Sequence, residues 1–352
     1  MFFYFAGFAV ALVTCYLFNY PVRLSSRAVG FLDLPGERKL HKRAVPYGGG
    51  VAIFLALAAT VIFLSLCYPP CFLLKKRLMG LIIGGLAVVM VGLWDDAKGT
   101  GALFKFTLEG GVAVLMYFYG FRIENLSVPA VGSVSLGGFS IVITIFWYWL
   151  IMNAINLIDG LDGLAAGVTG IAALTILVIT LSGNQPFDIF LAAIILGLSL
   201  GFLPHNFHPA RIFMGDTGSL LLGFLLGSLT LTTSTKAPAV LTLLIPLLAV
   251  GMPIFDTTHA FLRRLLSGSH PFRADTKHLH HRLLALGLSH RRVVLFLYYI
   301  SIYLGVMAYI LSRTSAQITL LVVILLFGGL FLLVENVSAL ERNVKGRPPD
   351  PF

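Results

Sequence analysis

The chain has 352 residues, of which 58% are hydrophobic and only 11% are charged. Soluble globular proteins carry about 25% charged residues, so this composition excludes a soluble enzyme, a disordered chain, a collagen and a disulfide scaffold. At about 20 apolar residues per crossing, the apolar content is enough for roughly ten membrane-spanning helices. The composition therefore predicts a polytopic helical membrane protein.

Apolar runs along the chain predict eleven membrane spans within one integral membrane domain at 1–340, followed by a short tail at 341–352. The predicted spans lie near 2–20, 47–68, 78–94, 103–121, 139–158, 163–182, 188–204, 218–233, 239–260, 292–311 and 317–335. Segment 123–138 alternates apolar with small or polar residues around a Pro/Gly turn, which predicts a short external β-hairpin. The expected fold class is thus an all-α polytopic membrane protein with one small hairpin.

Lys and Arg outnumber Asp and Glu by 25 to 15. Most of these cations lie in loops on the same side as the C-terminus, so the positive-inside rule predicts an external N-terminus and a cytoplasmic C-terminus. Lys75, Lys76 and Arg77 fall on the predicted outer side and go against this rule. Basic loops facing anionic lipid explain the excess of positive charge, and no nucleic acid partner is expected.

Most of the few acidic residues fall at the predicted inner ends of spans, and ionisable groups in such proteins tend to mark function. Asp95 and Asp96 end the third span. Adjacent carboxylates repel each other, and a bound cation or a shared proton relieves the repulsion. A solvated helix end is the structural alternative.

A second polar motif, Asn-Ala-Ile-Asn-Leu-Ile-Asp-Gly-Leu-Asp-Gly, occupies residues 153–163. Its amide and carboxylate oxygens suit a hard cation such as Mg²⁺, and its glycines allow close approach of the backbone to a ligand. Polar contacts between membrane helices are the structural alternative.

Two further motifs are typical of anion binding. Residues 211–219, Arg-Ile-Phe-Met-Gly-Asp-Thr-Gly-Ser, precede the eighth span and predict either a helix cap or a phosphate site at a helix N-terminus. The loop at 263–282 mixes His with Arg and Lys. No Cys and no HExxH motif accompanies its histidines, so donors to an anionic ligand, or a basic loop on lipid, are favoured over zinc.

Taken together and in this order, the motifs resemble those of the polyprenyl-phosphate N-acetylhexosamine-1-phosphate transferases, the glycosyltransferase 4 family. The resemblance covers about residues 33–282. Pro-Tyr-Gly-Gly-Gly at 46–50 and His-Leu-His-His at 278–281 are similar to the WecA/TagO-like branch rather than to the related MraY branch.

The resemblance implies transfer of GlcNAc-1-phosphate from UDP-GlcNAc to undecaprenyl phosphate with release of UMP, and Mg²⁺ as the cofactor, with Mn²⁺ as a substitute. It also implies a homodimer in the bacterial inner membrane, with the active site facing the cytoplasm, at the first lipid-linked step of a cell-surface polysaccharide such as lipopolysaccharide or teichoic acid. A phospho-MurNAc-pentapeptide transferase and a membrane transporter are the alternatives.

The resemblance further implies roles for individual residues. Asp95, Asp96 and Asp159 match the catalytic acidic group, and Asp216 and Asn156 match the metal ligands. The expected substrate-binding residues are Asp162, Phe213, Lys39, His41, Arg264, His278, His280 and His281. Direct attack by the lipid phosphate, with Asp95 positioning it or taking a residual proton, is favoured over a covalent aspartyl-phosphate intermediate.

Overall fold

The computed structural model describes residues 2–35, 43–67, 75–128, 132–181, 185–233, 248, 250–266 and 279–345. In chain order the elements are α1 (Phe2–Ala28), β1 (Leu32–Asp33), β2 (Val45–Pro46), α2 (Gly49–Cys67), α3 (Lys75–Lys98), α4 (Ala102–Phe118), β3 (Asn125–Val128), β4 (Gly132–Ser135), α5 (Phe139–Ile158), α6 (Leu164–Leu181), α7 (Pro186–Asn206), α8 (Gly215–Thr233), α9 (Gly251–Leu266), α10 (Leu279–Ala285), α11 (His290–Leu311) and α12 (Ala316–Lys345).

Among the described residues, eight helices are long and apolar enough to cross a membrane: α1, α2, α3, α5, α6, α7, α11 and the Gln317–Val337 part of α12. The predicted polytopic all-α fold is therefore confirmed. Helices α4 and α8 occupy two more of the predicted spans. The ninth predicted span, 239–260, falls partly outside the described residues, so the total of eleven and the orientation remain predictions.

Two helices run well past the predicted ends of their spans. Helix α1 continues from the predicted end at residue 20 to Ala28, and α12 continues to Lys345, inside the predicted tail. Counting apolar residues locates only the part of a helix that lies in lipid. Arg27 in the last turn of α1 interacts favourably with the negative end of the helix dipole, so the helix persists beyond its apolar part.

The cations that go against the charge rule form the first turn of α3. The Arg77 guanidinium lies over the ring of Phe187, 5.3 Å from its centroid. A cation on an aromatic face is stabilised by the ring quadrupole. Arg77 therefore has a local partner on α7 that the charge count did not anticipate.

The predicted hairpin is confirmed. Strands β3 and β4 pair antiparallel, with Asn125 opposite Ser135 and Val128 opposite Gly132. The start of the hairpin is tied to α5, because the Ser140 hydroxyl donates to the Ile123 carbonyl at 2.6 Å. The hairpin thus caps the end of the bundle opposite to Asp95.

Helix α8 lies at the centre of the bundle and packs against α2, α3, α5, α6 and α7. Every residue from Thr217 to Thr232 is buried. A helix surrounded on all sides must be apolar or have its polar groups paired. Accordingly, the Tyr148 and Ser228 hydroxyls are 2.8 Å apart, and the indole of Trp147 donates to Thr230 at 2.9 Å.

Glycines allow three helices to meet at the start of α8. A Cβ added at Gly50 on α2 would overlap the backbone of Thr217 and Gly218, and one added at Gly92 on α3 would overlap the backbone of Thr217 and Asp216. This close approach brings the last turn of α3 beside the first turn of α8. Because those turns carry the Asp-Asp and Gly-Asp-Thr motifs, the glycine contacts determine how far apart the motifs lie.

We expect Gly92→Ala to destabilise the protein by about 1–3 kcal/mol, because the added methyl group must displace buried backbone. Gly111→Ala on α4 is the matched control, since no atom lies within 4 Å of its added Cβ and alanine favours the helix. Thermal unfolding in detergent measures both variants. Equal unfolding temperatures for the two would contradict the packing argument.

Candidate active site

The structure gathers the central sequence motifs at one end of the bundle. Asp95 and Asp96 lie near the end of α3, Asn156 in the last turn of α5, and Asp216 in the first turn of α8. Asp159 directly follows α5 and Asp162 lies in the turn before α6. Neighbouring antiparallel helices place the end of one beside the start of the next, so motifs far apart in sequence meet here.

Asp96 binds the N-terminus of α8. Its carboxylate accepts the backbone N–H groups of Asp216 and Thr217 at 2.8 and 3.1 Å, and the Thr217 hydroxyl at 2.6 Å. The first N–H groups of a helix lack partners within the helix, and a negative charge there is stabilised by the helix dipole. Asp96 therefore acts as a cap for α8 from another helix, with its oxygens directed at the protein backbone.

Asp95 points to a different set of partners. One oxygen accepts the backbone N–H and the hydroxyl of Thr100, each at 2.7 Å. The other lies 3.0 Å from the Nζ of Lys105. The side chains of Asp95 and Lys105 are 14% and 12% exposed, so the pair is largely shielded from solvent.

Lys105 is the residue of the acidic group that the sequence reasoning missed. Its ammonium contacts the carboxylates of Asp95 and Asp216, and lies 3.3 Å from the amide oxygen of Asn156. In the count of Lys and Arg on the two sides of the membrane, Lys105 was only one of the cations on the predicted inner side. A lysine inside an apolar segment, a few residues after an Asp-Asp pair, is the signal that was available.

Three oxygen atoms surround the Lys105 ammonium and accept its hydrogen bonds or pair with its charge: one each from Asp95, Asp216 and Asn156. Mg²⁺ prefers such hard oxygen ligands, and uses few protein carboxylates. Asn156 is oriented for this arrangement, because its amide nitrogen donates to Asp216 and to Ser219, both at 2.9 Å. These oxygens therefore suit a divalent cation at the position that the Lys105 ammonium occupies.

Asp159 lies next to this group and is partly buried. Burial raises its pKa well above the usual range for a carboxyl group, and the negative charges of Asp216, Asp96 and Asp162 raise it further. A carboxyl group of this kind keeps a proton more readily than an ordinary aspartate. Asp159 thus adds less negative charge to the acidic group than its residue type implies.

Glu109 is an acid in the middle of the predicted span at 103–121, where an ionisable group is costly unless it is paired. The amide nitrogen of Asn153 donates to its Oε2 at 2.7 Å. Asn153 therefore stabilises the contact between α4 and α5, whereas Asn156, one turn later, binds Asp216 of the acidic group.

A cavity of about 580 Å³ has Phe213 in its wall, three residues before Asp216 of the acidic group. Its walls carry the guanidinium-bearing residues Arg23, Arg27, Arg43 and Arg211, together with Asp162, His208 and Phe213 among others. The arginines come from α1 and from two loops, so only their folded arrangement brings them together. The sequence reasoning selected Asp162 and Phe213 and missed the arginines.

The backbone of Phe213 is held by the Pro-Tyr-Gly-Gly-Gly motif at 46–50. Its backbone N–H donates to the Pro46 carbonyl at 2.8 Å, and its carbonyl accepts the Gly49 N–H at 3.0 Å. The rings of Tyr47 and Phe213 lie 6.2 Å apart. The motif at 46–50 therefore holds an aromatic side chain at the wall of the arginine-lined cavity.

Asp162 forms a second cluster with histidines. Its Oδ2 lies 2.8 Å from the Nδ1 of His208 and accepts the Ala210 N–H at 3.1 Å. Candidate ligand atoms of Asp162, His208 and His290 lie within 4.8 Å of one another. Neither histidine was selected from the sequence, because each is isolated in its own segment.

Of the remaining predicted residues, only His281 has a described side chain. Lys39, His41 and His278 lie outside the described residues. Arg264 belongs to α9 and His280 to α10, but their side chains are outside the described set. His281, in the first turn of α10, is partly buried.

Comparison with known proteins decides the family. Residues 78–234 match the model of glycosyl transferase family 4. A probable undecaprenyl-phosphate N-acetylglucosaminyl 1-phosphate transferase of Bacillus subtilis is 35% identical over 340 residues, which cover 96% of this chain and 93% of the relative. The chain belongs to glycosyl transferase family 4. The family predicted from the motifs, with its WecA/TagO-like character, is thereby confirmed.

Two more family 4 relatives extend the comparison. A decaprenyl-phosphate N-acetylglucosaminephosphotransferase of Mycobacterium tuberculosis is 36% identical over 328 residues, covering 86% of this chain and 80% of the relative. An undecaprenyl-phosphate alpha-N-acetylglucosaminyl 1-phosphate transferase of Escherichia coli is 26% identical over 289 residues, covering 78% and 75%. The similarity thus extends well beyond the residues matched by the family model.

We expect Asp96→Ala to lower the unfolding temperature, because it leaves N–H groups at the buried start of α8 without their acceptor. Each unpaired group costs about 1–3 kcal/mol. Asp96→Asn keeps an acceptor oxygen and should unfold at an intermediate temperature. Asp95→Ala is the matched control and should have the smaller effect, since its carboxylate does not cap a helix. An unfolding temperature of Asp96→Ala equal to that of the native protein would exclude the capping role.

Proposed function

We propose that this family 4 transferase moves GlcNAc-1-phosphate from UDP-GlcNAc to undecaprenyl phosphate, giving undecaprenyl-diphosphate-GlcNAc and UMP. The observation that carries the proposal is the pairing of an oxygen-rich cation site with an arginine-lined cavity at one end of the bundle. The relatives named above are transferases of N-acetylglucosamine phosphate to undecaprenyl or decaprenyl phosphate, which supports both the acceptor and the sugar.

The nucleotide would occupy the arginine-lined cavity. Guanidinium groups suit phosphate oxygens because they offer several donors in a planar fork. Phe213 presents an aromatic ring to the base, and Asp162 presents a carboxylate that can accept a base N–H. Residues 213–216 join this cavity to the acidic group, so the diphosphate would extend from the cavity towards Asp216.

Asp216 and Asn156, with Asp95 beside them, would hold Mg²⁺, and Mn²⁺ would serve as a substitute. The cation would supply neutralisation of the diphosphate charge. Mg²⁺ would take the place of the Lys105 ammonium among these oxygens. Asp96 would keep α8, and with it Asp216, at a fixed distance from Asp95.

The transfer itself would be a single displacement. An oxygen of the lipid phosphate forms a bond to the β-phosphorus of UDP-GlcNAc, while the bond from that phosphorus to the bridging oxygen breaks and the bridging oxygen leaves with UMP. The second pKa of a phosphate monoester is about 6, so the acceptor is already ionised at neutral pH. Asp95 would orient the acceptor and take a residual proton where one is present.

The lipid acceptor explains why such a site belongs at the end of a membrane bundle, since its tail remains in the bilayer while its phosphate reaches the polar groups. The positive-inside rule places this end in the cytoplasm of a bacterial inner membrane. The product would feed a cell-surface polysaccharide, and a homodimer is the proposed assembly. The relatives do not favour the phospho-MurNAc-pentapeptide transferase or the transporter.

We expect purified protein to release UMP from UDP-GlcNAc only when both undecaprenyl phosphate and Mg²⁺ are present, and to lose this activity in EDTA. Asp216→Asn should reduce turnover by more than roughly 100-fold, since even the outer partners of metal ligands contribute 10–100-fold. Glu124→Gln is the matched control, because Glu124 lies on the exposed hairpin at the other end of the bundle and pairs with Arg122. Release of UMP without the lipid, or full turnover by Asp216→Asn, would contradict the proposal.

We expect no phosphosugar on the protein when UDP-GlcNAc labelled in the sugar is supplied without lipid. The single displacement needs the lipid phosphate as the attacking group, so label should stay on the nucleotide. Acid quench followed by mass spectrometry measures the protein-bound fraction. Stoichiometric labelling that Asp95→Asn abolishes would establish the covalent route instead.

A further inference from the structure

The carboxylate of Asp162 is held from one side at the wall of the arginine-lined cavity. His208 lies 2.8 Å from its Oδ2, and the Ala210 N–H donates to the same oxygen at 3.1 Å. The side chain of Asp162 is only 18% exposed, whereas that of His208 is 40% exposed. Both donors come from residues 208–210, so this short segment determines where the carboxylate points.

Segment 208–210 is in turn attached to the start of α11. The rings of His208 and His290 stack with centroids 4.2 Å apart and planes 19° apart. The Arg291 guanidinium donates two hydrogen bonds to the His208 carbonyl, at 3.1 and 3.3 Å. Ring and carbonyl of His208 are therefore both fixed by two consecutive residues of α11.

The turn that carries Asp162 has its own contact with α11. The Tyr298 hydroxyl donates to the Gly163 carbonyl. Tyr298 lies about two turns after His290 on the same helix. Helix α11 therefore holds both the segment that donates to Asp162 and the backbone next to Asp162.

A metal ion is the first alternative, because Asp162, His208 and His290 have ligand atoms within 4.8 Å of one another. Lone pairs of an imidazole lie in the plane of its ring. In two stacked rings the lone pairs lie in nearly parallel planes that are separated by the stacking distance, whereas a metal ion needs both lone pairs to converge on one point. One oxygen of Asp162 also accepts two hydrogen bonds already. The stacking favours a hydrogen-bonded support over a metal site.

We propose that His208 and His290 are positioning residues that hold the Asp162 carboxylate in the orientation that binds the nucleoside of the sugar-nucleotide donor. The inference rests on the proposed function, because it assigns the arginine-lined cavity to that nucleoside. A carboxylate already fixed in its binding orientation loses little conformational freedom when the ligand arrives. The two histidines then set the affinity for the nucleotide and leave the transfer step unchanged.

The experiment compares His208→Ala with His208→Asn, whose amide nitrogen can donate to Asp162 in place of the imidazole. We expect His208→Ala to weaken UMP binding and to raise KM for UDP-GlcNAc about tenfold, the equivalent of one charge-assisted hydrogen bond. Turnover at saturating donor should change less than about twofold. His208→Asn should recover most of the affinity. Calorimetry with UMP in excess Mg²⁺ measures binding without any transfer.

His259→Ala is the matched control, since His259 faces Glu335 of α12 and lies away from the cavity. His290→Ala should weaken UMP binding in the same direction, and the double variant with His208→Ala should add little, because both residues act through one support. Unfolding temperatures identify any variant whose loss of affinity comes from loss of structure, and the recovery by His208→Asn separates the two causes.

The outcomes distinguish this inference from the proposed function. Native UMP affinity in His208→Ala, alongside active native protein, would overturn the positioning role and leave the function standing. Loss of UMP affinity in His208→Ala, in a protein that never transfers GlcNAc-1-phosphate, would support the positioning role while the proposed donor or acceptor fails. Failure of the native protein to bind UMP would overturn both. Stoichiometric binding of Zn²⁺ that His208→Ala abolishes would replace the support with a metal site.

Discussion

The mutual repulsion of Asp95 and Asp216 is the constraint on which the candidate site depends. Like charges shielded from water repel strongly, and each must have a nearby positive charge. Lys105 contacts both carboxylates. This charge favours the close approach of the end of α3 to the start of α8, and the glycines at the contact between the helices allow the distance to be short. A bound cation would satisfy the same requirement.

The helix dipoles add to this arrangement. Asp96 accepts N–H groups at the positive end of α8, where a carboxylate is stabilised, although it belongs to the negative end of α3, where a carboxylate is disfavoured. The end of one helix is thus stabilised by the start of another. Adjacent acids in one motif consequently have different tasks: Asp96 connects two helices, whereas Asp95 contacts the Lys105 ammonium.

The sequence predicted the fold class, the hairpin and the acidic motifs, because these follow from local patterns of apolar and polar residues. It predicted helix ends poorly at Ala28 and Lys345, because helices continue past the apolar residues that define a span. It also assigned Asn153 and Asn156 to one motif, although one contacts Glu109 and the other Asp216. Spacing shows that residues share a helix face, but the neighbouring helix decides their partners.

The functional residues that were not predicted from the sequence were missed for one physical reason. Lys105, His208 and His290 lie in three different segments, and their meaning arises only from contacts with segments far away in sequence. The same holds for the four arginines, which no single segment gathers. Motifs therefore located the groups that would touch the substrate, whereas the groups that orient those side chains came from the fold.

Residues 213–216 connect two groups of opposite charge. Phe213 lies in the wall of the cavity that carries the guanidinium groups, and Asp216 is one of the carboxylates that contact the Lys105 ammonium. Under the proposed function, the cavity would receive the base and the nucleotide phosphate, and the diphosphate would reach a cation held by the carboxylates. A free sugar lacks both the base and the diphosphate, and inorganic diphosphate lacks the base. A sugar nucleotide combines these features, which is why the two groups together support the proposed donor more strongly than either group alone.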